Sequence, residues 1–119
     1  MLYASESLSL AALETVVNLS SGKLDLGLMC VELEFPDHLP VETVELELLP
    51  PHWNSYPYIS ETVLIGSDFL KKGGLCFKVP SALIPSEFNY LLNPIHSEFD
   101  QISIRDIHPM ILDKRLLGE

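Results

Sequence analysis

The segment from Val79 to Pro94 constrains this chain most. It runs Val79-Pro80-Ser81-Ala82-Leu83-Ile84-Pro85 and continues through Asn89-Tyr90-Leu91-Leu92-Asn93-Pro94. Each proline fixes its own φ and lacks a donor, and each pushes the residue before it towards extended geometry. Val79 and Ile84 are therefore expected to be extended, with Ser81 on a short, stiff stretch between two prolines. Asn89 and Asn93 add side chains that cap turns. Polar groups on a rigid, half-buried segment suit the wall of a pocket. The same pattern also suits a proline-punctuated loop that closes a core, and the residues alone leave both open.

The chain has 119 residues and is 47% hydrophobic, enough for one packed core, so a single domain over residues 1–119 is expected. No apolar run approaches the roughly 18 residues that a membrane-spanning helix needs. Met1-Leu2-Tyr3-Ala4-Ser5-Glu6-Ser7 carries no basic residue and no apolar leader stretch, which points to the cytoplasm. Lys and Arg total 7 against 17 Asp and Glu, for a net charge of -10. Such a chain repels a phosphate backbone, so direct nucleic-acid binding is not expected, and a basic protein partner is favoured. Cys30 and Cys76 each lie in an apolar run, where buried, reduced thiols are expected. The four histidines show no ligand spacing, so no metal site is expected.

Residues 5–19 repeat apolar positions at helical spacing, with Ser5 or Ser7 as the cap and Ser21-Gly22 as the stop. That helix is apolar nearly all round, which predicts a buried helix. Glu14 stands out on it, at the rim or in a pocket. Residues 26–35 read as a strand, with Val31, Leu33 and Phe35 facing inward between Glu32 and Glu34. Val44, Leu46 and Leu48 alternate with Glu45 and Glu47 and read as a second strand. A loop over 50–58 carries Trp53 and two tyrosines, as a ligand wall or as a lid on the core. A short helix over 60–72 is expected to break or bend at Gly66-Ser67-Asp68. Residues 75–79, Ile102 with Ile104, and Met110 to Leu112 complete the expected strands. There is no glycine-rich phosphate loop, and Ser81 has no histidine close in sequence to form a nucleophilic triad. The residues alone nominate Glu14 and Ser81, with Tyr3 and the span from Asn89 to Asn93 as neighbours.

Several of these blocks together resemble one family. The stretch Tyr3-Ala4-Ser5-Glu6-Ser7-Leu8-Ser9-Leu10-Ala11-Ala12-Leu13-Glu14 looks like the tyrosine-to-glutamate segment of RES domains. Gly66 to Leu70, Val79-Pro80-Ser81, Asn89-Tyr90-Leu91-Leu92-Asn93-Pro94 with His96, and Asp113 with Arg115-Leu116 follow in the family's order. The resemblance implies an α+β fold like that of ADP-ribosyltransferases, a mixed β-sheet core with flanking helices. It implies a toxin of a bacterial toxin–antitoxin pair that consumes NAD+ as its substrate, by hydrolysis or phosphorolysis of the nicotinamide–ribose bond. A helix-turn-helix antitoxin would neutralise it. By position Glu14 and Ser81 match the family's glutamate and serine as catalytic residues, and Tyr3, Asn89 and Asn93 are expected to bind the dinucleotide.

The family arginine belongs to a glycine-arginine-aromatic-asparagine segment upstream of the tyrosine, and this sequence starts two residues before Tyr3. Arg115 matches a different, C-terminal position, and Arg105 matches none. The expectation is therefore a RES domain without its N-terminal strand and without the arginine that would hold the pyrophosphate. An exposed sheet edge would then favour a homodimer. Two functional readings follow: an NAD+-degrading toxin, or a catalytically weak or inactive remnant that keeps the fold and an interaction surface.

Overall fold

Along the chain come β1 (Leu2–Ser5), α1 (Leu8–Asn18), β2 (Met29–Glu34), β3 (Glu42–Thr43), a 3-10 turn at Leu46–Leu48, α2 (Ser60–Lys71), β4 (Cys76–Pro80) and β5 (Phe88–Leu92). A 3-10 turn at Phe99–Gln101, β6 (Ser103–Pro109) and a last 3-10 turn at Lys114–Leu117 complete the order. The computed structural model describes residues 1–18, 27–54 and 60–118. Among these, the strands form a four-stranded sheet in the order β1-β5-β4-β3 and a two-stranded sheet of β2 and β6. The pairs are antiparallel except β3 with β4. The architecture is α+β, as expected.

Residues paired across a sheet point the same way, and successive residues along a strand point opposite ways. The rows Tyr3–Leu91–Phe77 and Ser5–Asn89–Val79 therefore share one face of the four-stranded sheet. Leu2–Leu92–Cys76 and Ala4–Tyr90–Lys78 share the other. The second face carries the core. Leu39, Leu75, Cys76 and Leu92 are buried there, packed by Leu33, Phe35, Tyr90, Phe99 and Ile102. Each fully buried leucine contributes about 1.5–3 kcal/mol. On the same face the Lys78 ammonium sits 4.4 Å from the centre of the Phe88 ring.

Ser7 caps α1: its hydroxyl accepts from the Leu10 N–H at 3.1 Å. The expectation of a buried helix is not met. Leu10 is the one buried residue of α1, while Leu8 and Val17 are more than half exposed. Ala11, Glu14, Thr15 and Asn18, at helical spacing, turn instead to a cavity over the first sheet face. The expected stop at Ser21-Gly22 lies outside the described residues.

The second helix runs without a break through Gly66, contrary to expectation. Gly66 faces the cavity, and nothing lies within contact of where its Cβ would be. Phe69 of α2 is buried and stacks on Phe77 of the sheet at 4.7 Å, which fastens the helix over the first face. Gly73 takes a left-handed φ of 71° and closes α2, donating to the Leu70 carbonyl. A side chain on Gly74 would strike the Phe69 ring.

Three strand expectations need correction. The alternation over residues 44–48 is not a strand: β3 stops at Thr43, and Leu46–Leu48 is a 3-10 turn in which Leu48 is 78% exposed. Beyond Val44, whose N–H donates to the Lys78 carbonyl, the backbone bonds of Leu48, Leu49 and Trp53 are local, and Pro50-Pro51 offers no ladder donors. Residues 88–92, left open between a pocket wall and a core-closing loop and not expected as a strand, are the strand β5 inside the four-stranded sheet. Ile104 and His108-Pro109 belong to one strand, β6, and Met110 to Leu112 form none. In β2 Leu33 packs against the core while Val31 is about half exposed, and the pairing with β6 shifts register between Glu32 and Leu33. Cys76 is buried, as expected, and its thiol pKa is pushed up to about 11 by burial. Cys30, expected to be buried, is only half-buried. No helix among the described residues is long and apolar enough to cross a membrane.

Candidate functional site

A cavity of about 880 Å³ lies between the first sheet face and the two helices. From the face that the register selects, the sheet supplies Tyr3, Ser5, Phe77, Val79, Asn89 and Leu91, with Ala4 and Pro80 of the alternate rows also on the lining. Helix α1 supplies Glu14 and its helical neighbours, α2 supplies Gly66, Ser67 and Leu70, and the loop after β3 supplies Leu49 and Trp53. Most of this wall is apolar, with a few polar groups converging at one point, the usual composition of a small-molecule site. Trp53 is half-buried and forms part of the wall. Of the two tyrosines expected beside it, Tyr56 and Tyr58, both lie outside the described residues.

The converging polar groups centre on Glu14. Its Oε1 accepts from the Ser81 hydroxyl at 2.8 Å and from the Asn89 amide Nδ2 at 2.8 Å. The Ser5 hydroxyl in turn donates to Asn89 Oδ1 at 2.7 Å. Four elements thus hold one carboxylate: the end of β1, the middle of α1, the residue after β4, and β5. No bond to Glu14 Oε2 is present among the described residues, so one oxygen is held and the other is available to the cavity.

Ser81 is completely buried, and its hydroxyl is fully used. Besides donating to Glu14, it accepts from the backbone N–H of Leu83 at 3.1 Å and of Ile84 at 3.2 Å. A hydroxyl has one donor and two acceptor positions, so none remains for a ligand. The backbone N–H of Ser81 donates to the Glu87 carbonyl at 2.8 Å. Its neighbours Pro80 and Ala82 line the cavity, and Ser81 stands behind them. The two prolines and the three-bond turn make it a rigid post for Glu14.

The other expected site residues divide. Tyr3 lies on the cavity wall and is 73% exposed. Asn89 belongs to the cluster. Asn93 does not: it is buried away from the cavity, donating to the Gly74 carbonyl at 3.0 Å and accepting from the Ile95 N–H at 3.2 Å. It shapes the turn after β5. Ser5, by contrast, was nominated only as a helix cap and proves to be part of the cluster. Its signal is the cross-strand register with Asn89, which does not exist until β5 is recognised as a strand. Among the described residues lining the cavity, Glu14 is the one charged side chain, and no group of acidic, histidine or cysteine side chains is arranged to hold a metal ion among the described residues.

Comparison with known proteins places the chain in a family. The model of the RES domain matches residues 1–113. A Prs ADP-ribosylating toxin from Sphingobium is 34% identical over 98% of this chain and 74% of its own length. A protein named Toxin Res from Yersinia enterocolitica is 34% identical over 92% of this chain and 71% of its own. Another of that name, from Pseudomonas putida, is 34% identical over 98% of this chain and 79% of its own. With one family pattern running over nearly the whole chain and relatives named as toxins at this level of identity, the chain belongs to the RES domain family.

Proposed function

We propose that the cavity takes the nicotinamide-ribose end of NAD+ and that the chain cleaves the bond between them. The observation that carries the reading is the half-held carboxylate: Glu14 is fixed through Oε1 by Ser81 and Asn89 while Oε2 is left to the cavity. In the reaction the bond from ribose C1′ to the ring nitrogen breaks, and its electron pair passes to the nitrogen, giving neutral nicotinamide. Positive charge grows on C1′ and the ribose ring oxygen. A carboxylate held in place beside that carbon stabilises the charge without having to reorganise. An oxygen nucleophile then bonds to C1′ and loses its proton. Water gives ADP-ribose, phosphate gives its phosphorylated form, and a protein group gives an ADP-ribosylated protein, the outcome that the Sphingobium relative's name describes for that protein. All three share the release of nicotinamide. Tyr3 and Trp53 offer aromatic faces to the ring, and Ser81 serves as the post for Glu14.

The family resemblance also implies a helix-turn-helix antitoxin as partner, and a net charge of -10 suits a basic surface on it. Co-purification with the product of an adjacent helix-turn-helix gene tests that part. One observation favours the second reading, a chain with weak turnover: among the described residues of the cavity wall there is no lysine or arginine side chain to hold the pyrophosphate. The deciding experiment is incubation with NAD+ while nicotinamide is followed, with Glu14→Ala alongside. Release by the wild type alone supports the proposal. Equal release by both removes Glu14 from the chemistry, and release by neither supports the weak-turnover reading.

A further inference from the structure

We infer that Ser5 is a positioning residue, acting on Glu14 through Asn89; as a statement about turnover, this rests on the function proposed above. An amide has two unlike ends. Its NH2 end suits a carboxylate, and its oxygen repels one. Asn89 places Nδ2 2.8 Å from Glu14 Oε1. Turned by half a rotation, Oδ1 would stand there instead, acceptor against acceptor. Ser5 lies directly across the β1–β5 pair from Asn89, and its hydroxyl donates to Oδ1 at 2.7 Å. That bond holds the amide with its donor end towards Glu14. It is a neutral bond that supports a charge-assisted one, and such chains reinforce one another in a partly buried setting.

The chain geometry gives the arrangement its stiffness. Ser5 ends β1, Ser7 caps α1 two residues later, and Glu14 follows on that helix. The Glu6 N–H donates to the Phe88 carbonyl, and the Glu6 carboxylate accepts from the Phe88 N–H, so the turn between strand and helix is pinned to the residue beside Asn89. One continuous segment therefore carries both Ser5 and Glu14, and Asn89 bridges them from β5. Ser81 fixes Glu14 from the opposite side. With Asn89 misoriented, Oε1 would keep only one donor, and the carboxyl group would gain freedom to rotate.

The test uses the full chain and four variants: Ser5→Ala, Ser5→Thr, Asn89→Ala and the double variant Ser5→Ala/Asn89→Ala. Threonine keeps the hydroxyl and suits a strand. Two quantities are read: the NMR signal of the Glu14 side-chain carboxyl carbon, which needs no turnover, and the kinetics of nicotinamide release. Ser5→Ala is expected to move the Glu14 signal in the same direction as Asn89→Ala, to add nothing in the double variant, and to be restored by Ser5→Thr. The kcat should fall about 5-fold to 10-fold in Ser5→Ala, the scale of one lost hydrogen bond, with KM unchanged. A Glu14 signal unmoved by Ser5→Ala overturns the inference, as do effects that multiply in the double variant. If the signals couple as described but the wild type releases no nicotinamide, the positioning role stands and the proposed activity falls.

Discussion

The two faces of the four-stranded sheet are made by the same strands and do opposite work. On one face Leu92 and Cys76 are buried against Leu39 and Leu75, and exposure is a few per cent or less. On the other, residues one step away in the sequence, Leu91 and Phe77, share a cavity wall with Asn89, Ser5 and Glu14. The core face spends Leu92 and Cys76 on packing. The cavity face keeps open space, with polar side chains that satisfy one another around a single carboxylate. At Leu91 and Leu92 a one-residue step therefore separates a cavity-wall position from a core position, while Phe77 both lines the cavity and packs on Phe69.

The sharpest way to break this comparison is Glu14→Gln. The amide oxygen of glutamine still accepts from Ser81 and Asn89, so the fold and its melting temperature should hold while the charge is lost. Nicotinamide release is expected to fall by about 100-fold to 1,000-fold, the scale of losing one fixed electrostatic group. A variant that melts early would mean that Glu14 serves the fold instead. Next comes a matched pair on β5. Leu92→Ala removes a core side chain and should cost about 2–5 kcal/mol in a denaturant titration, whereas Leu91→Ala, on the half-buried cavity face, should cost clearly less. Equal losses would erase the distinction between the faces.

Ser81→Ala should sit between the two classes. It leaves the N–H groups of Leu83 and Ile84 without their acceptor and takes a donor from Glu14. A stability loss of about 1–3 kcal/mol is expected, together with slower nicotinamide release. The smallest effect concerns the thiols. At pH 8 an alkylating reagent should modify half-buried Cys30 and spare buried Cys76 in the folded chain. Because burial raises the Cys76 pKa from 9.0 to about 11, the folded state holds that proton longer than the unfolded one. Stability should be unaffected by this group below pH 9 and should decline between pH 9 and 11.

How much of this was legible in the sequence differs by element. The first helix, a cap narrowed to Ser5 or Ser7, and the strand before Ser81 follow from spacing and capping chemistry, which act over a few residues. Glu14 and Ser81 stood out because a carboxylate in an apolar helix and a serine between prolines are locally odd, and the structure brings them within 2.8 Å. The central strand β5 was obscured because the asparagines and prolines around Tyr90-Leu91-Leu92 read as turn signals. Its strand character comes from neighbours on both sides, β1 and β4, which are far away in sequence. Leu46 and Leu48 failed in the opposite way: their alternation is real, but the sheet has already ended at Thr43. The apolar girth of α1 was read as burial because a cavity wall and a core wall look alike in a sequence. Ser5 and the displaced Asn93 depend on register and on the turn after β5, neither of which a local pattern contains.

The central claim is that the cavity face of the sheet is where NAD+ binds. Trp53, the only tryptophan in the chain, stands on that wall, so its fluorescence reports on the cavity directly. NAD+ titrated into the Glu14→Gln variant, which should bind without rapid cleavage, is predicted to change Trp53 emission in a saturable way, with the change weakened by Tyr3→Ala. Emission that stays flat up to millimolar NAD+, in a variant shown to be folded, would contradict the account.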